Sequence, residues 1–165
     1  MRKPVSVLAL LALFMGALTF PAIADDSKTV NATVTPIVIA VNVDPPTLSY
    51  GTKEVGRTAQ IPNPPGFVAT NSGSVPENFL IRGAASTPGL WILASTAGAN
   101  AYVHRYKING AGSFAPITTT AAQIHGNLSP SSSVVIDLEL DMPITTTSVV
   151  EQTLPVTIVA TQAMP

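Results

Sequence analysis

Proline and glycine constrain this chain more than any other feature of it. Fifteen prolines and eleven glycines punctuate its 165 residues. Inside a helix, proline removes a hydrogen bond and clashes with the preceding turn, and glycine carries an entropic cost. The apolar runs between these breaks are short and β-branched. Branched side chains lose rotamer freedom in a helix and fit a pleated surface. Short runs of this kind, separated by turn residues, predict an all-β sandwich or barrel.

The strand signals are uneven. Residues 132–143, SSVVIDLELDMP, place Val134, Ile136, Leu138 and Leu140 on one face and Asp137, Glu139 and Asp141 on the other. Period-two alternation of this kind predicts a strand with a core face and a solvent face. Residues 28–43, KTVNATVTPIVIAVNV, read as one long strand with a break. Val30, Ala32 and Val34 share one parity, and after Pro36 the residues Ile37, Ile39, Val41 and Val43 share the other. Proline cannot donate to a ladder, so the parity change predicts a bulge, or an edge strand crossing between sheets. Further strands are expected near 48–50, 67–70, 78–82, 89–95, 101–107 and 153–160, with a weak run at 116–118. Asn109-Gly110 is a hairpin signal. Asn71-Ser72-Gly73-Ser74 has turn chemistry and is long enough to carry the chain from one sheet to another. The sum is about eight strands in one antiparallel domain.

The first 24 residues have another character. Arg2 and Lys3 precede an apolar run from Val5 to Phe20, and Ala22-Ile23-Ala24 supplies a small-x-small site. That pattern predicts a secretory signal peptide over 1–24, cleaved after Ala24, with a single domain over 25–165. A secreted or cell-surface location follows. Without Arg2 and Lys3 the chain keeps six basic against nine acidic residues, a net charge of −3. A mildly acidic balance argues against nucleic acid or an anionic membrane as partner. The absence of cysteine excludes disulfides and thiolate chemistry. A bacterial or archaeal source fits export without such staples.

Candidate chemistry is sparse. His104 and His125 are the only histidines and lack the spacing of a metal motif. The acidic row Asp137, Glu139 and Asp141 lies on a straight strand, which supplies calcium ligands poorly, and reads as a solvated face that discourages edge pairing. There is no nucleophile elbow around a serine and no glycine-rich phosphate loop. No catalytic residue, cofactor or metal is therefore expected. Trp91, Tyr102 and Tyr106 are the candidates for a sugar-stacking platform, although a lone tryptophan is more often core. Leu154-Pro155-Val156-Thr157 resembles the start of a sortase signal, but Ile158 follows in place of glycine, and the run reads as strand.

Residues 45–83 carry a resemblance. PPTLSYGTKEVGRTAQ, followed by FVATNSGSVPENFLIRG, resembles the repeating phrase of exported bacterial immunoglobulin-like domains, of the abnormal-spindle and surface-protein types. In that phrase a proline precedes an apolar-Gly-x-x-x-x-Gly segment, a strand ends in Asn-x-Gly, and another apolar strand follows. The closing VVIDLELDMP and LPVTIVATQ are similar to the last hairpin of such sandwiches, whereas residues 84–130 carry little of the likeness. The resemblance implies an immunoglobulin-like β-sandwich at the cell surface and no particular chemistry. Two functions follow as expectations. One is a non-enzymatic structural or protein-interaction domain of a surface layer, fibre or adhesive complex. The other is a carbohydrate-binding module for extracellular polysaccharide. Partners would be other surface or extracellular proteins, or further copies of the chain, with no stable membrane insertion after cleavage. Ile37, Ile39, Val41 and Val43 are the candidates for a strand exchanged between subunits.

Overall fold

The computed structural model describes residues 28–164. The leader expected over 1–24 lies outside them, and no helix among the described residues is long and apolar enough to cross a membrane. The domain described here begins at Thr35. It is all-β, with nine strands among the described residues: β1 (Val41–Asp44), β2 (Gly66–Asn71), β3 (Glu77–Gly83), β4 (Ile92–Leu93), β5 (Ala101–Ile108), β6 (Ala111–Pro116), β7 (Ala122–Leu128), β8 (Ser133–Asp141) and β9 (Val156–Gln162).

The strands form two sheets packed as a β-sandwich. One runs β1-β2-β8-β5-β4, with β6 also paired to β5, and the other runs β7-β3-β9. Pairing is antiparallel except for β4 on β5, which is parallel. The core lies between the sheets. Phe67 and Ala69 of β2 and Val134, Ile136 and Leu138 of β8 meet Phe79 and Ile81 of β3, with Leu128 and Ile117 closing one side. The alternation in 132–143 places the faces correctly: Val134, Ile136, Leu138 and Leu140 are all buried. Leu140 belongs to a second cluster with Trp91, Tyr102 and Met142.

The expected long strand over 28–43 is a correction. Only Val41–Asp44 is strand, paired to Asn71–Val68 of β2, and residues 28–40 belong to none. The reason is visible from Val38 onward. Its amide donates to Ser74 Oγ and its carbonyl accepts from the Ser74 amide, while the Ala40 amide donates to Glu77 Oε1 and its carbonyl accepts from Ser72. A loop and a carboxylate occupy the groups that a ladder would use. Ile37 and Ile39 are consequently exposed, whereas Val41 and Val43 pack on the core of their own chain.

Asn71-Ser72-Gly73-Ser74 is the corner at which the chain leaves one sheet and enters the other. Asn71 is fully buried and holds the corner from inside. Its amide group donates to the carbonyls of Val75 and Leu128, and its Oδ1 accepts from the Gly73 amide. A Cβ at Gly73 would collide with Glu77 Oε1 and the Val38 carbonyl, so this position requires glycine. We expect Asn71→Ala to cost about 2–3 kcal/mol, because the buried Leu128 carbonyl and the part-buried Val75 carbonyl lose their donor. Exposed Ser72→Ala should stay within about 0.5 kcal/mol. Urea unfolding of the two variants checks the contrast.

Candidate functional site

One side of the sandwich is not closed. Between the chain leading from β1 to Tyr50 and the chain leading into β9 lies a cleft of about 1080 Å³. Its floor is continuous with the core at Phe67, Leu138 and Leu140, and Val43, Leu48 and Ile158 form apolar walls. Lys53 and Glu151 stand among its lining residues. The prolines at 45, 46 and 155 account for the opening, since a residue without an amide hydrogen cannot extend either edge.

The polar centre of the cleft is His104. It sits on β5 opposite Leu140, facing the interior, and is only 2% exposed. Its Nε2 shares a 2.7 Å hydrogen bond with the Tyr50 hydroxyl, and its ring meets Tyr50 edge-on and lies tilted against Tyr102. Nδ1 finds no partner among the described residues. Burial lowers the His104 pKa to about 4, so the imidazole is neutral near pH 7. Burial first, then the charge of Glu139 and the neighbouring Tyr102, push the Tyr50 phenol far above its ordinary value. Tyr102 is pushed up to about 12 by burial and donates to the Ala84 carbonyl at 2.6 Å. The group is a neutral hydrogen-bonded cluster. Among the described residues, the hydrogen bond between Tyr50 and His104 joins two neutral rings.

The acidic row is not a bare solvated face. On the outer side of the same two strands, Arg105 lies opposite Glu139 and Lys107 opposite Asp137. Arg105 donates to Glu139 at 3.0 Å and to Asp141 at 2.5 Å, while Lys107 stands 4.0 Å from Asp137 and over the Phe114 ring. Asp141 also accepts from the Ala59 amide. The hydrogen bond from Arg105 is the main reason that the Asp141 pKa falls below its ordinary value. A depressed carboxylate stabilises the fold above its unfolded pKa, and that contribution is lost as pH falls through the folded value. Arg105→Gln should lower stability at neutral pH and flatten the acid limb below about pH 4. Chemical denaturation at several acid pH values reads both effects.

The three platform candidates do not share an exposed face. Trp91 is 8% exposed, with Nε1 donating to Thr146 Oγ1, and Tyr102 is fully buried. Tyr106 is half-buried against the main core. His125 lies on β7 opposite Phe79 in the other sheet, away from His104. Among the described residues no group of three or more His, Asp or Glu is placed to hold a metal ion. Sequence reasoning missed Tyr50 as the partner of His104, a pairing across 54 positions that no local pattern announces. It also missed Glu77, a fully buried carboxylate whose Oε1 fixes Ala40. No protein-family model matches this chain, and neither the curated proteins nor the solved structures contain a match to it.

Proposed function

We propose that this chain is an exported, non-enzymatic structural or protein-interaction domain of the cell surface or extracellular matrix, built on an immunoglobulin-like sandwich. The observation that carries the reading is the half-open side of the sandwich. A cleft with apolar walls at Val43, Leu48 and Ile158, and with Lys53, Glu151 and Gln152 also among its lining, offers mixed apolar and polar contacts to a protein partner. Of the aromatic residues that would stack on a sugar ring, Tyr102 is buried and Tyr106 packs on the main core, while Trp91 lines the cleft beside Tyr50 but is only 8% exposed, with its indole N–H taken by Thr146. The leader-like residues 1–24 and the low content of charge, 10% of the chain, agree with export into a surface assembly.

Protease treatment of intact bacteria expressing the full chain tests the location. Peptides from residues 28–164 should be released without lysis, and release only after lysis would refute export. Affinity electrophoresis through gels containing polysaccharides tests the chemistry. Migration should be unchanged; retardation that Trp91→Ala or Tyr50→Phe abolishes would favour the carbohydrate-binding alternative instead.

A further inference from the structure

The most regular period-two pattern outside β8 belongs to residues that form no strand. Residues 29–35 read TVNATVT, with Val30, Ala32 and Val34 on one parity and Thr29, Asn31, Thr33 and Thr35 on the other. In the structure they belong to no strand, and Val30 and Val34 are each 90% exposed. Branched apolar residues in strict alternation fit one face of a sheet and are costly to leave in water.

The domain holds a surface of the complementary kind. β9 is the edge of its sheet and pairs with β3 alone among the described residues. Edge strands are ordinarily guarded by charge, proline, bulges or shortness. The other edges here have such guards. β1 has four residues and ends at Asp44 before two prolines, β4 has only two residues, β6 contains Gly112 and ends at Pro116, and β7 has register shifts against β3 and a positive φ at Asn127. β9, VTIVATQ, is seven residues long without charge, proline or glycine. Val156, Ile158 and Ala160 face the core but remain half-exposed, and Val156 and Ile158 line the cleft.

We infer that residues 29–35 of one chain add as a strand to the outer edge of β9 of a second copy, seating Val30, Ala32 and Val34 over the cleft. This inference deepens the proposed surface-assembly role and rests on it. The lengths agree, since seven extended residues span about 23 Å and β9 has the same number. The segment carries no charge to desolvate. An added strand supplies main-chain hydrogen bonds to the edge, and the alternate side chains fill the apolar surface beside it. A second copy is the fitting occupant because each chain carries both the pattern and the edge, while its own residues 29–35 form no strand. Each chain then gives one segment and receives another, a head-to-tail contact that extends into a filament. Ile37, Ile39, Val41 and Val43 stay with their own domain, so the exchanged strand ends before the hydrogen bonds at Val38.

The absence of cysteine makes the test direct. Chains with Thr33→Cys are mixed with chains carrying Thr157→Cys or Thr161→Cys and gently oxidised. All three threonines are exposed, so the fold should survive the changes. Heterodimers linked by disulfide are expected, well above the yield with the exposed loop control Ser131→Cys, and Val34→Asp added to the Thr33→Cys chain should abolish the excess. A yield equal to the control overturns the pairing. So does efficient closure of the doubly substituted Thr33→Cys/Thr161→Cys chain into a monomer, which would mean that the segment folds back on its own edge. A chain released from the intact cell surface that yields no heterodimer leaves the surface role standing and removes only the pairing. A chain that pairs but stays inside the cell removes the role instead.

Discussion

Ile136→Ala should lower the free energy of unfolding by about 2–5 kcal/mol, the range for a large aliphatic side chain removed from a packed core. Ile136 is 0% exposed at the centre of β8, where it lies opposite Phe67 of β2 and Ile108 of β5. The void would open between the two sheets, and rigid neighbours on both flanking strands limit how far it can collapse. Glu139→Ala on the same strand should cost much less. Its carboxylate is partly exposed and shares Arg105 with Asp141, which keeps its own bond to that guanidinium. Surface ion pairs are worth at most about 1 kcal/mol. Guanidinium titration of both variants measures the difference. Equal losses would mean that the strand presents its faces the other way.

Stability should also fall by about 3 kcal/mol as the pH drops from about 6.5 to about 4, through His104 alone. The folded imidazole resists protonation because it is buried among Tyr50, Tyr102 and Leu140, while the unfolded one protonates near its ordinary value. Between those two pH values the unfolded chain binds the extra proton, so acid favours unfolding. Below about pH 4 this group contributes no further loss, and the Arg105–Asp141 pair takes over the acid dependence. His104→Gln should flatten the stability profile between pH 4 and 6.5, whatever it does to the absolute value. An unchanged slope there would place a proton on His104 in the folded protein.

How much of this was legible in the sequence varies by element. The all-β class, the faces of β8, the Asn109-Gly110 hairpin and the turn residues at 71–74 all rest on local rules, and each lies where the rules place it. Asn109 and Gly110 adopt the positive φ angles that such a turn requires. β6 and β7 were not legible, because AGSFAP and AQIHGNL alternate poorly and take their place from β5 and β3. The reverse held for residues 28–40, which form no strand despite good local alternation, and whose backbone groups at Val38 and Ala40 are taken by the corner at Ser72–Ser74 and by Glu77. The charge ladder on β5 and β8 depended on register: Arg105 finds Glu139 only once two strands more than thirty positions apart align. The cleft was invisible for the same reason, since its walls come from the beginning and the end of the domain.

The crossing at Asn71 has a consequence for how the molecule is made. β2 leaves for β8, and β3 leaves for β9, so neither inner strand finds its long neighbour nearby in the chain. The most remote of these pairings joins Glu77 to Gln162. Contacts between residues so far apart form late, because the intervening loop must close before they repay its entropy. While the chain emerges from a ribosome, its first half has sheet edges and core faces but nothing to cover them. The sandwich closes only after the final strand has appeared. A polypeptide of this design cannot complete its core until nearly all of these strands are available.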